Sequence, residues 1–137
     1  MSKVGIENYA FGEKNKWRKK AWKQITRRVK NPRKCRVLYL AGEQDLDRRE
    51  AKANGFCVEN MIAVEMDSGR AKELRKKGVT TIVGNIMDVL HNWPEKHPVD
   101  VVIADFCFGF EMDSIDLYDS LANKALTSAV VLINFQR

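Results

Sequence analysis

Short apolar runs that stop on polar or acidic residues recur along this chain. Val37 to Leu40 leads into Ala41-Gly42-Glu43, Met61 to Val64 into Glu65-Met66-Asp67, and Val99 to Ala104 into Asp105. Each reads as a strand buried on both faces whose carboxyl end delivers side chains to a ligand crevice. Val79 to Val83 and Ala129 to Phe135 read as two further strands. Between the strands the apolar period lengthens. Trp17, Ala21, Ile25 and Val29 recur every four residues among Lys and Arg, which predicts a helix over 14–30 that Asn31-Pro32 ends. Asp47 to Glu50 has the form of a capping box and Asn54-Gly55 of a stop, so a short helix is expected over 48–53. Ser68 to Lys77 before Gly78 predicts another, Ile86 to Trp93 a short helical turn before Pro94, and Ser114 to Leu126 a helix with Ile115, Leu117, Leu121 and Leu126 on its apolar side. Strands and helices alternating at this spacing predict βαβ units with right-handed crossovers, hence a mostly parallel α/β sheet of about five strands behind a basic amphipathic helix.

Composition narrows the class. A chain of 137 residues with 45% hydrophobic content is enough for one domain around one core, and 1–137 is read as that domain with 1–36 as a basic helical extension. No apolar run approaches the roughly 20 residues that span a bilayer, and the N-terminus lacks a secretory hydrophobic stretch, so no membrane association and a cytoplasmic location are expected. Cys35, Cys57 and Cys107 are odd in number and show no CxxC spacing, which suits reduced packing thiols better than a reactive or metal-bound thiol. His91 and His97 share one loop without clustered partners, and no metal site is expected.

The net charge of +6 hides a division. Residues 1–36 carry thirteen Lys or Arg against two acidic residues, whereas 37–137 carry eleven against sixteen. A basic arm on an acidic body fits a protein that meets a polyanion with one face. Lys19, Lys20, Lys23, Arg27 and Arg28 are the candidate phosphate contacts, and Trp22, one position off the apolar stripe, is the candidate for an exposed stacking aromatic among them. A solvated outer face is the plainer reading of the same residues.

The crevice chemistry follows from what is missing and what is present. Neither a phosphate-binding GxxxxGK[ST] loop nor GxGxxG follows the first strand. Glu43, Asp45 and Asp47 at the start of the next helix would repel a pyrophosphate, so a cationic ligand without phosphate suits the site better. S-adenosylmethionine has a sulfonium and an ammonium group, and an acidic residue ending the second strand, Glu65, is placed to hold ribose hydroxyls.

The order of these motifs resembles the class I S-adenosylmethionine-dependent methyltransferases, a Rossmann-like family, over about residues 35–135, and the resemblance implies a three-layer sandwich whose strands run in the order 3-2-1-4-5. VLYLAGEQDLD matches the family's first motif in strand, position and Gly42, with Tyr39 where an acidic residue is common and the later glycines absent. IAVEMD matches the second, implying that Glu65 contacts ribose and Met66 flanks adenine. VGNIMD resembles the third with Asn85 in place of Asp, implying a hydrogen bond from the adenine amino group to the Asn85 carbonyl and a backbone N–H from Ile86. IADFCFGF resembles the substrate motif: Asp105 falls where many members place Asp or Asn, and Phe106 or Phe108 would stack on a flat substrate. The resemblance thus implies a cofactor site of Ala41, Gly42, Glu43, Glu65, Met66, Asn85 and Ile86, with Asp105 as the catalytic residue. A solvated Glu65, a turn-capping Asp105, a Gly42 that only permits a turn and core-packing Phe106, Phe108 and Phe110 are the plainer readings.

The family's sheet usually has seven strands, whereas the chain given ends two residues after the fifth expected here, so a homodimer or protein partner covering that edge, or an edge protected by Arg137, is expected. A minimal or decayed member of this kind is the sort expected in a compact viral or mobile-element genome. Two functions follow as expectations: a small methyltransferase-like enzyme, acting on nucleic acid docked by the basic helix, or a non-catalytic binding module that keeps the fold and uses that helix on nucleic acid or an acidic protein.

Overall fold

The structure is a computed structural model that describes residues 2–41, 45–106 and 121–135, with side chains at 15–41, 45–104 and 121–133. Its frame is a five-stranded, all-parallel sheet in the order β3-β2-β1-β4-β5, an α/β Rossmann-like fold as the alternation of patterns predicts. The strands are β1 (Val37–Leu40), β2 (Met61–Glu65), β3 (Thr81–Val83), β4 (Val101–Phe106) and β5 (Val130–Phe135). Parallel strands need crossovers, and helices supply them. Helix α1 (Ser2–Arg28) precedes the sheet, α2 (Leu46–Ala53) joins β1 to β2, α3 (Ser68–Lys76) joins β2 to β3, and α4 (Ile86–His91) follows β3. The helix expected over Ser114 to Leu126 falls mostly outside the described residues; its last part, Lys124–Leu126, is a single 3-10 turn capped by the Asn123 side chain.

Central strands are apolar on both faces because both are covered. On one face Val37, Tyr39, Met61, Ala63, Val101 and Ile103 pack with Ala21, Trp22 and Ile25 of α1, Ala51 of α2 and Leu74 of α3. On the other, Leu38, Val64, Val102 and Ala104 pack with Ile86 and Leu90 of α4 and with Leu126. Helices α2 and α3 stop where glycine permits it. Gly55 and Gly78 take φ of +93° and +83°, and the amide of the residue after each returns to the last helical turn, Phe56 N to Ala51 O and Val79 N to Leu74 O at 3.0 Å.

Helix starts differ in two places from the sequence reading, at α1, which begins at Ser2 and not at 14, and at α2. Asp67 caps α3 and Asn85 caps α4 through their side-chain oxygens, but Asp47 does not cap α2. The chain enters α2 two residues earlier, at Leu46, and Asp47 turns its carboxylate inward to α1. There Asp47 Oδ1 accepts from Trp22 Nε1 at 3.0 Å and from Arg18 Nε at 3.2 Å. Trp22 is therefore not an exposed stacking residue: it is fully buried and meets the Phe56 ring edge-on at 5.2 Å. Its indole N–H has a buried acceptor, which removes the cost that would otherwise keep a tryptophan at the surface.

At the amino ends of the strands the sheet is stitched shut. Arg36 N donates to Asp100 Oδ2 at 2.8 Å, Asp100 N and Val101 N donate to Arg36 O, and Val130 N donates to Asp100 O at 2.8 Å. Arg36 Nη1 also reaches Pro98 O at 3.0 Å. Among the described residues no helix is long and apolar enough to cross a membrane.

Candidate functional site

Parallel register brings the candidate residues to one level. Leu40 pairs with Val64 and Glu65 with Val83, so Ala41, Glu65 and the Val83-Gly84-Asn85 segment emerge side by side at the carboxyl edge. Asp105 lies two residues beyond the Ile103 that pairs with Tyr39, as Ala41 lies two beyond Tyr39, which sets Asp105 at the same level on the next strand. Asp105 and Phe106 pair in register with Asn134 and Phe135 of β5. The side chains of Asp105 and Phe106, and all of Gly42, Glu43 and Phe108, lie outside the described residues.

Glu65 is half-buried, and its Oε1 accepts from Asp67 N at 3.1 Å, which folds the carboxylate back over the turn into α3. Its backbone carbonyl accepts from Gly84 N at 2.9 Å, tying the ends of β2 and β3 together. Beside this carboxylate the surface is apolar. Met66 is 71% exposed and Val83 44%, the large hydrophobic side chains left open among the described residues. Both lie at neighbouring strand ends, Val83 in register with Glu65 and Met66 next to it in the chain. Asn85 stands one turn further, but its Oδ1 already accepts from Met87 N at 2.8 Å to cap α4. Ile86 is buried in the core behind it, and Ala41 is likewise buried at the end of β1.

Of the three carboxylates expected to face the ligand after β1, Asp47 is withdrawn into its pairing with α1. Asp45 stands immediately before α2. It sits in the left-handed region at φ +49°, half-buried, close to the fully buried Tyr39. The two side chains interact without forming a well-aligned hydrogen bond: Tyr39 Oη and Asp45 Oδ1 both lie buried with no hydrogen-bond partner among the described residues. Burial pushes the Asp45 carboxyl up to about 6; the nearby Asp47 charge adds to this, while Tyr39, Arg48 and Lys77 pull the other way. Burial and the Asp45 charge also push the Tyr39 hydroxyl far above its ordinary range. A non-glycine residue at positive φ beside a buried, unsatisfied pair is the kind of local strain that collects at binding loops. Sequence reading had counted Asp45 only as one of three like charges; Tyr39 in a strand otherwise made of Val and Leu was the available signal.

Lys19, Lys20, Lys23, Arg27 and Arg28 are exposed along α1. Arg28 is partly engaged, its Nη1 donating to Gln24 Oε1 at 2.8 Å. Of the cysteines, Cys35 is buried with its thiol pushed up to about 11 by burial and by Asp100, so it stays protonated at neutral pH. Cys57 is a free, half-buried thiol, and Cys107 lies outside the described residues. Among the described residues no three His, Cys, Asp or Glu side chains group as metal ligands would.

The chain matches no known family model, no curated protein and no solved structure.

Proposed function

We propose that the carboxyl edge of the sheet binds S-adenosylmethionine and that the protein is a small methyltransferase-like enzyme. One observation carries this reading: a half-buried carboxylate, Glu65, stands directly beside the exposed Met66 and Val83 on adjoining strand ends. A nucleoside presents the same pair of surfaces, a ribose diol that donates to a carboxylate and a flat base that lies against apolar side chains. Glu65 takes the ribose hydroxyls, Met66 and Val83 take the faces of the adenine, and the amide of Asn85 or the backbone at Ile86 meets its edge. Asp45 and Glu43 offer negative charge to the ammonium and sulfonium groups, with Gly42 of the same loop letting the backbone approach them, which favours a cationic ligand over a dinucleotide. The cofactor would supply an activated methyl group. The protein's part is to hold an acceptor amine or hydroxyl in line with it, the role assigned to Asp105, with Phe106 or Phe108 against a flat substrate; positioning of this kind supplies most of the rate in such transfers.

Calorimetric titration with S-adenosylmethionine and with S-adenosylhomocysteine tests this reading. The expected result is micromolar binding that weakens by at least about tenfold in Glu65→Ala, the loss of one or two charge-assisted hydrogen bonds. No heat at millimolar ligand would overturn it.

A second reading, a non-catalytic binding module of the same fold, is favoured by the capping work of the edge residues. Asn85 Oδ1 and Asp67 Oδ1 already hold the amides of Met87 and Gly69. Fewer polar groups are then left for a ligand than the sequence pattern offers.

A further inference from the structure

We infer that the outward face of α1 is a docking surface for duplex DNA, gripped through its phosphate backbone without regard to sequence. As the substrate of a methyltransferase-like reaction the DNA rests on the reading above; as a bound partner it stands on the surface alone. Lys16, Lys20, Lys23 and Arg27 are all exposed and recur at i, i+4, i+7 and i+11, which puts them in one stripe. That stripe lies opposite the buried Ala21, Trp22 and Ile25. The Asp47 carboxylate, held by both Arg18 and Trp22, fixes the rotation of α1 about its own axis, so the stripe faces solvent and stays there. Lys19 flanks it, and the exposed Arg33 and Lys34 continue the charge beyond the helix end. Residues 15–36 contain no Asp or Glu. The ion pairs found among the described residues, Arg18 with Asp47, Arg70 with Asp67 and Lys76 with Glu73, leave the four stripe cations unengaged.

The shape of this surface selects among polyanions. At 1.5 Å per residue the four cations span about 16 Å, and a duplex presents a phosphate on each strand every 3.4 Å of axis, so the stripe meets about five phosphates along one strand. Single-stranded nucleic acid is held by exposed aromatics on which bases stack; with Trp22 buried and Trp17 half-buried, the described face of α1 has none. A membrane surface would require the apolar face of the helix, which is already spent on the sheet. B-form DNA has a major groove about 12 Å wide that admits a helix, whereas the deep, narrow groove of A-form RNA does not. Three of the four cations are lysines, point charges suited to phosphate more than to forked recognition of base edges.

The test is fluorescence anisotropy on the full chain, without cofactor, using two labelled 24-base-pair DNA duplexes of unrelated sequence, the corresponding single strands and an RNA duplex. Both DNA duplexes should bind alike, and affinity should fall about 150-fold between 0.05 and 0.2 M salt, the dependence expected for four phosphates neutralised. The variant K16Q/K20Q/K23Q/R27Q should lose at least about 100-fold at the lower salt with an unchanged circular dichroism spectrum, and K16R/K20R/K23R, which keeps the charge, should bind as the wild type does. No duplex binding by the wild type at 0.05 M salt, or an unaltered salt slope in the glutamine variant, overturns the inference. So does tighter binding of single strands or of RNA, or equal competition by polyglutamate, which would point to an acidic protein instead. Because no cofactor is present, failure here leaves the calorimetric test of the crevice unaffected, and the reverse holds too.

Discussion

Asp47 shows how much one carboxylate can organise. It is 3% exposed, and two donors from another helix converge on one of its oxygens. Removing it strands a buried indole N–H and an Arg18 side chain that is 11% exposed, so Asp47→Ala should destabilise the fold by about 3 kcal/mol in denaturant unfolding. Asp47→Asn keeps an acceptor oxygen and should cost about 1 kcal/mol, a contrast that separates the hydrogen bonds from the charge. Asp45, two residues earlier, acts in the opposite sense. Its carboxyl is raised to about 6 in the folded chain, so between about pH 4 and pH 6 the folded state holds a proton that the unfolded state has released. The stabilising effect of that proton is complete below the unfolded value and is lost as pH rises through about 6. Asp45→Asn, neutral and tolerant of the left-handed backbone, should therefore flatten the decline and raise stability at pH 7 by about 1 kcal/mol, as thermal melts across pH 5–8 would record. Neither role was legible in the sequence. Asp47-Arg-Arg-Glu50 reads locally as a cap, and only partners 25 and 29 residues away turn the aspartate inward.

Elements were read more successfully than individual side chains because their signals are local. The runs that became β1, β2 and β4 are β-branched and apolar on both faces, and the three strands are buried on both. Stops were legible for a steric reason: at φ +83°, Gly78 occupies a conformation that a Cβ opposes, although open space surrounds the position. Gly78→Ala should then cost about 1 kcal/mol from backbone strain alone, and the midpoint of thermal unfolding should fall by a few degrees. Helix α1 runs from Ser2, well before the expected start at 14, since its first half lacks the four-residue apolar repeat that drew attention to the second. The same repeat misplaced Trp22. A stripe read at a period of four omits the i+1 neighbour that a helix of 3.6 residues per turn brings onto the same face.

At the scale of the whole molecule, parallel direction followed from the alternation of periods and strand order from the resemblance of the motif series, and the carboxyl edge followed from the two together. What that edge binds did not follow, since the same fold carries many chemistries. Glu65 stood out in the sequence as an acid closing an apolar run, and Met66 as its neighbour. Val83 did not, because its exposure depends on β3 being an outer strand that ends level with Glu65. The sheet also joins distant parts of the chain: Val130 and Leu132 of β5 pack against the cluster that holds Trp22 and Ile25 of α1. During synthesis at about 5–20 residues per second, the face of α1 that ends up buried must therefore wait several seconds for the last strand to complete its seat. Until then the apolar side of the basic helix is only partly covered, and the order of manufacture becomes a hazard that quick collapse of the intervening β1-α2-β2 unit would shorten.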